Sequence, residues 1–329
     1  CVDFAGFAED REDLLREFLS LENGLPSHDT FSRLFRLLDP QAFGRAFEAF
    51  LEDLGTDGLG VLAIDGKTLR RSFDRAAGRS PLHVVTAFGA GARLAIGQSA
   101  VPEGGSEITA ARALLETLCL EGVLVTADAL HTQSDTAQVI LDRGGDYLFA
   151  LKGNHPLLMR EVAEYFADPP EKLAQFQTVD ADHGRIETRV HRVSHEVDWL
   201  FSDRRYKDEP RLPGLAMIAC VQSSRQIGES VTTASRLYVS SARLTPEAFA
   251  KAVRAHWSIE NSLHWVLDMS FDEDRARNRK DNGPENLSIL RKLTLNILRK
   301  ARPKLPVSRK RKRAGWSDDF AKSIIGQMR

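Results

Sequence analysis

The sequence predicts an α/β protein: a mixed sheet with flanking helices, a small helical region before it, and a β-rich insertion ahead of its last long helices. Three patterns carry that expectation. Between residues 61 and 154, three strand-like runs are followed by helix, strand, helix and strand, an order that combines hairpins with helical crossovers. Residues 171–241 hold strand-like runs separated by polar loops. Near 246–269 an apolar stripe at helical spacing returns.

Each element has its own signals. Residues 8–54 read as helical, with Phe31, Leu34, Phe35 and Leu38 at helix spacing, then Phe43, Phe47, Phe50, Leu51 and Leu54. Ser27 and Asp29 are candidate N-caps, and Pro40 opens the next helix at its first turn. Such a bundle serves either packing or DNA binding. "VLAIDGKTLR", "LHVVTAFGA" and "RLAIGQSAV" are the first strands. Within the first, Asp65-Gly66 between apolar runs favours a hairpin turn on local grounds. "SEITAARALLETL" is an amphipathic helix capped by Ser106, and "GVLVTADAL" is apolar enough for a strand buried on both faces. "TQSDTAQVILDRG" is a helix closed by Gly144, and "DYLFALKGN" is a fifth strand. The insertion offers "TRVHRVSHEV", "GLAMIACVQSS" and "ASRLYVSS". Thr245, Pro246 and Glu247 start one long helix, and residues 284–300 form another with Leu287, Leu290, Leu293 and Ile297 on one face. The expected division is a helical region 1–56, a mixed α/β domain 57–300 with the insertion at about 171–241, and a basic tail 301–329.

Composition narrows the class. With 42% hydrophobic and 28% charged residues in 329, the chain is an ordinary globular sequence, long enough for one large or two medium domains. A net charge of −1 gives no overall positive field. Residues 299–313, however, hold nine Lys or Arg and no acid; taking those charges from −1 leaves −10 on the remainder. That segregation suggests a polyanion partner or a solvated basic end. Cys1, Cys119 and Cys220 are scattered, which fits a reduced, cytoplasmic setting. No apolar run suits a membrane helix and no signal peptide is visible. Because the chain begins with Cys, the expectation is that its natural N-terminus is missing.

Three acids fall where apolar patterning predicts burial: Asp65 on the first strand, Asp128 at the end of the fourth, and Glu260 on the long helix. At about 100° per residue, Val253, Trp257, Glu260, His264 and Leu267 share the face expected to turn inward. Taken singly, each acid has a structural explanation: a turn, a strand-end cap, a partner for Arg254 or His264. Together they suggest one metal site. Mg²⁺ takes oxygen ligands, and a pair of ions about 3.5–4 Å apart can drive in-line phosphoryl displacement. Zinc would want His and Cys at ligand spacing, which the sequence lacks.

The blocks "LPSHDTFSRLFRLLDP", "AIDGKTLRRS", "VTADALHTQ", "YLFALKGNHP", "DHGRIETR" and "HWSIENSLHWVLDMSFDED" carry a resemblance from residue 20 to 300. The chain resembles the D-D-E transposases of bacterial insertion sequences, in their H-repeat-associated subgroup. The resemblance implies a ribonuclease-H-like fold and a catalytic, metal-binding triad of Asp65, Asp128 and Glu260. Its spacings are 63 and 132 residues, the second enlarged by the insertion. It also implies two Mg²⁺ ions, with Mn²⁺ as substitute. Asp65 then becomes a metal ligand, Gly66 lets the backbone run close, and Lys67 offers a cation to phosphate.

The sequence departs from the Tyr-Arg-Glu-Lys signature of many relatives. Val253 and His256 stand at its Tyr and Arg places, and the distal Lys is absent. His256 and His264, with Asn261, are candidates for supporting Glu260 by hydrogen bonds, although His264 also reads as an ordinary packed histidine. Arg185 and Arg189 suit DNA phosphates, or belong to an exposed strand. Lys152 and Asn154 sit past the fifth strand, where open α/β sheets place ligands. Trp257 and Trp265 suit core packing, or stacking on a base.

The reading that follows is an insertion-sequence transposase, which cuts at its element ends and joins the 3′-OH to target DNA. Its partners are the terminal repeats and target DNA, with a homodimer in the DNA complex, no membrane, and a cytoplasmic, nucleoid-associated location. Two alternatives remain: a truncated or domesticated DNA-binding protein, and a ribonuclease-H-like nuclease without strand transfer.

Overall fold

Strand β1 (Val61–Thr68) runs straight through Asp65 and Gly66, so the Asp-Gly pair is not a turn. Its ladder with β2 (His83–Gly89) continues past them, pairing Asp65 with Thr86 and Gly66 with Val85. A computed structural model describes residues 1–53, 60–170, 172–182, 185–201 and 212–326. Leu54, the expected boundary near 56, His183 and Gly184 lie outside the described residues.

The mixed sheet with flanking helices expected from the sequence is present. The strands run in the order β3-β2-β1-β4-β5-β9-β8-β7-β6. Here β3 is Leu94–Ala100, β4 Leu124–Ala127, β5 Asp146–Leu151, β6 Ala174–Asp182, β7 Arg185–Ser194, β8 Met217–Ile227 and β9 Ser230–Ser240. β1, β4 and β5 are mutually parallel and the other neighbours antiparallel. The β-rich stretch does not form a separate sheet. β9 pairs antiparallel with β5, so all four of its strands extend the same sheet. β6 is a strand that the sequence patterns did not isolate.

The helices are α1 (Val2–Asp10), α2 (Glu12–Arg16), α3 (His28–Leu37), α4 (Pro40–Asp53), α5 (Glu107–Thr117), α6 (Ser134–Asp142), α7 (Pro156–Ala167), α8 (Pro246–Ser258), α9 (Trp265–Phe271), α10 (Gly283–Lys300), α11 (Val307–Trp316) and α12 (Asp318–Ile325). Ser27, Ser106 and Thr245 accept the backbone N–H bonds expected of N-caps. The run 8–54 is not continuously helical, because residues 17–27 separate α2 from α3. Helix α7 went unassigned in the sequence, though Pro156 at its start and Leu158, Val162 and Phe166 at helical spacing mark it.

Alternation along β1 sorts the two layers. Leu62 and Ile64 enter one core with Leu114 and Leu115 of α5 and Ile140 of α6. Ala63 enters the other, with Ile259, Leu263, Leu267 and Leu295. Odd-numbered β1 residues therefore face the C-terminal helices and even-numbered ones face α5.

Helix α10 organises the rest. Asn286 is buried and donates to the carbonyls of Phe35 (2.9 Å) and Leu38 (2.8 Å), tying on α3. Asn296 bonds both backbone groups of Ala95, at 3.0 and 2.7 Å, and so covers the edge of β3. The basic stretch is not a free tail; it forms α11 and the residues around it, and packs back. Lys310 is 3% exposed and donates to the carbonyls of Leu298 (2.7 Å) and Ala301 (2.5 Å), which the end of α10 leaves without helical partners. Arg11 reaches Asp318 (2.7 Å) and Lys322 reaches Glu17 (2.7 Å), so the two ends of the chain meet.

Replacing Lys310 by Met keeps the stem and removes both bonds. Urea unfolding of Lys310→Met is expected to show a loss of about 1–3 kcal/mol, with a surface control such as Lys304→Met within error.

Candidate active site

The first two acids are brought together by strand pairing. β1 and β4 are parallel with Ile64 opposite Ala127, so Asp65 and Asp128, each one residue further on, leave adjacent strands at the same level. Alternation puts Asp65 on the helix-facing side. Asp128 starts a tight 3₁₀ turn, Ala129–His131, where its Oδ1 accepts from the N–H of Leu130 at 2.9 Å. That turn is held from behind by Asn154, whose side-chain amide donates to the Ala129 carbonyl at 2.7 Å. Asn154 thus supports the Asp128 turn, while Lys152 is exposed.

The third acid comes from the helix. The expected helix 246–269 is continuous through Phe271, but residues Ile259–His264 widen into a π-helical turn. Glu260 sits in that turn and is exposed, as is Trp257. The inward row is Ala252, Ile259, Leu263 and Leu267, one position round from the row expected. The compact aliphatic residues fill the space over Ala63, and Glu260 is left on the flank. Trp257 and Trp265 are not core residues: they are 38% and 60% exposed, and the Arg236 guanidinium lies over the Trp257 ring at 4.6 Å.

Two histidines join helix to strands. His264 Nε2 stands 3.2 Å from Asp65 Oδ2, so it is not simply a packed histidine. His256 Nδ1 meets Thr126 Oγ1, on β4, at 3.1 Å. Burial pushes the His256 imidazole below its usual range, against the opposing pull of Asp65, Asp128 and Glu260. One ring therefore feels all three carboxylates. Asn261 is exposed, and its amide donates to the Trp257 carbonyl at 3.4 Å.

Among the described residues, no Lys or Arg forms an ion pair with Asp65, Asp128 or Glu260, and their only ionic contact is Asp65 with His264. No three His, Cys, Asp or Glu side chains there stand close enough to enclose a metal ion. The donor set nonetheless suits a hard divalent cation: carboxylate oxygens whose negative charge no side-chain cation balances.

Lys67 is committed elsewhere. It faces the helices and meets Asp268, Glu273 (3.2 Å) and Asp274 (3.8 Å), with its side chain 14% exposed. Glu273 is buried, and burial works to raise its pKa; Lys292, Lys67 and Arg291 outweigh that and hold it ionised. Lys292 in turn donates to Gln98 Oε1 (2.6 Å) and Ser288 Oγ (2.8 Å). No sequence pattern marks this network behind the site, because its members come from separate elements. Arg299 closes the π turn, donating to the carbonyls of Ser262 and Arg93, and burial lowers its pKa to about 10. Arg189 pairs with Asp180 (2.8 Å) and Glu187 (2.7 Å), and Arg185 lies 3.9 Å from Glu187. Both are strand residues of β7 engaged with acids.

Residues 56–297 match the family described as "Transposase DDE domain", and residues 1–51 the associated family that precedes it. The chain is similar to the "H repeat-associated putative transposase YhhI" of Escherichia coli strain K12, 35% identical over 98% of this chain and 86% of that protein. It is also similar to the "Uncharacterized protein in dhlA 3'region" of Xanthobacter autotrophicus, 40% identical over 74% of this chain and 81% of that one.

Burial lowers Lys292 to about 8, so between that and its unfolded value of 10.5 the folded chain binds fewer protons than the unfolded one. Stability therefore rises with pH across that window. Comparing wild type with Lys292→Met by urea unfolding at pH 8 and pH 10, wild type is expected to gain about 2 kcal/mol relative to the variant.

Proposed function

The chain belongs to the transposase DDE-domain family, and we propose that, as an insertion-sequence transposase, it cuts DNA at its element ends with a divalent-metal site on Asp65, Asp128 and Glu260 and joins the freed 3′-OH to target DNA. One observation carries the site assignment: Asp65 and Asp128 at the same level of two parallel strands, with His256 under the influence of both and of Glu260. Three carboxylates with no cationic side chain paired to them gain most from a divalent ion.

When bound, a pair of Mg²⁺ ions supplies charge neutralisation at the transferring phosphate and activation of the attacking oxygen. The chain's own contribution is placement. The β1–β4 ladder sets Asp65 and Asp128 at one level, and Glu260 lies in the π turn of the helix packed on Asp65's side of the sheet. His264 holds Asp65 by a hydrogen bond. His256, kept neutral by burial, leaves the oxygens free for cations rather than competing as one. DNA is the polyanion partner of this reading, and a homodimer is the state in which paired element ends are joined. The domain division proposed is the one expected from sequence, with the DDE match ending just short of residue 300.

Two measurements test the reading. Asp65→Ala, Asp128→Ala and Glu260→Ala are each expected to abolish cutting of element-end DNA while DNA binding survives. Mg²⁺ and Mn²⁺ should support cutting, and Ca²⁺ binding only. Full cutting in chelator would overturn the metal assignment. Binding without cutting in every ion would favour a domesticated DNA-binding protein, and cutting without joining a plain nuclease.

Arg185 and Arg189 are proposed phosphate contacts, but Arg189 is held by two carboxylates. Replacing both by Ala is expected to flatten the slope of log affinity against log salt by about one unit rather than the two that free arginines would give. An unchanged slope would show that they face elsewhere.

A further inference from the structure

A second cluster of titratable groups lies on the opposite side of β1 from Asp65. His83 Nε2 stands 2.6 Å from Glu107 Oε2, and His131 Nε2 stands 3.1 Å from Glu107 Oε1. His83 Nδ1 in turn meets Thr68 Oγ1 at 2.8 Å. His131 is 1% exposed. The three residues come from β2, the first turn of α5 and the turn after β4, and share no sequence motif.

We infer that Glu107 is a positioning residue for the candidate metal site, tying the backbone that follows Asp65 to the turn that follows Asp128. The inference rests on the triad proposed above. Its first support is the packing at Gly66. A Cβ there would lie 2.5 Å from Glu107 Cδ, 2.5 Å from His83 Nε2 and 2.6 Å from Glu107 Oε1. The carboxylate and imidazole therefore press directly on the residue after Asp65, and any side chain there would displace them. The second support is His131. It closes the 3₁₀ turn whose first residue is Asp128, so its bond to Glu107 anchors that turn from below. Glu107 thus packs against the segment that carries Asp65 and is hydrogen-bonded, through His131, to the turn that carries Asp128.

The protonation pattern is consistent. The hydrogen bond from His131 is the strongest influence drawing Glu107 below the usual carboxylate range, and that from His83 adds to it. A carboxylate only accepts, so each ring donates its Nε2–H to Glu107. His83 Nδ1 meets the Thr68 hydroxyl, and His131 Nδ1 is buried without a partner. Glu107 thereby fixes the orientation of both rings.

The test uses the full chain and reads Mn²⁺ binding directly, by loss of the free-ion electron paramagnetic resonance signal. Cleavage of element-end DNA and thermal unfolding without metal are measured in parallel. In Glu107→Gln one of the two bonds cannot form in the native tautomers. It is expected to need about tenfold more Mn²⁺ for half-occupancy, with slower cutting and unchanged DNA affinity and thermal midpoint. His83→Ala should raise the Mn²⁺ requirement in the same direction. His83→Gln, whose amide nitrogen can take the place of Nε2, should restore it, a rescue that simple loss of packing would not give. Wild-type Mn²⁺ binding in Glu107→Gln would overturn the inference, as would equal effects of His83→Ala and His83→Gln. If Glu107→Gln does not fold, the two His83 variants decide. Asp65→Ala is the separate control: undiminished Mn²⁺ binding there would overturn the triad itself.

Discussion

The parallel pairing of β1 with β4 is the constraint on which the rest depends. Four residue pairs, Val61–Leu124 through Ile64–Ala127, set the level of Asp65 against Asp128. Because side chains alternate, the same ladder sends Leu62 and Ile64 to the α5 layer, Ala63 and Asp65 to the helix layer, and Gly66 back against Glu107. A slip of one residue would turn every one of these to the wrong face. The hydrophobic partition on the two sides of the sheet is what forbids it.

Around that ladder, buried polar groups take over from apolar packing. Glu273, Lys67, Lys292 and Ser288 form a connected network between β1, β3 and α10. Arg299 takes up a carbonyl of the π turn, and Asn296 both backbone groups of Ala95. Buried charges of this kind cost free energy unless every member is paired, and removing one partner is more damaging than the pair is stabilising. Their arrangement here locks the long helix against the strands at one rotation. That rotation leaves Glu260 exposed in the π turn, off the inward row.

Much of this was legible in the chain. The strand and helix order follows from period-2 and period-3.6 patterning, and the caps at Ser27, Ser106 and Thr245 from side chains that accept backbone N–H bonds. Three readings failed for identifiable reasons. Asp65-Gly66 has the composition of a turn, but glycine is there because Glu107 and His83 occupy its side-chain space. Residues 299–313 look like a solvated end by charge, yet Lys310 and Arg299 bury their heads on carbonyls left free by neighbouring elements. The helix face was misjudged by one position because large Trp257 was counted as core in place of Ile259.

By itself the sequence determined the mixed α/β order, the family and the acids proposed as the triad, since each is encoded in local periodicity or in contiguous blocks of residues. Only the tertiary structure decided which cations are available to DNA and which are spent on the fold. Lys67, Arg189 and Lys310 carry the same charge along the chain, but Lys67 and Arg189 are paired with carboxylates from other elements and Lys310 is buried against backbone carbonyls. It likewise decided that Glu107 bridges His83 and His131, residues 24 positions to either side of it. A carboxylate's partners are set by distance in space, and no spacing along the chain records that distance.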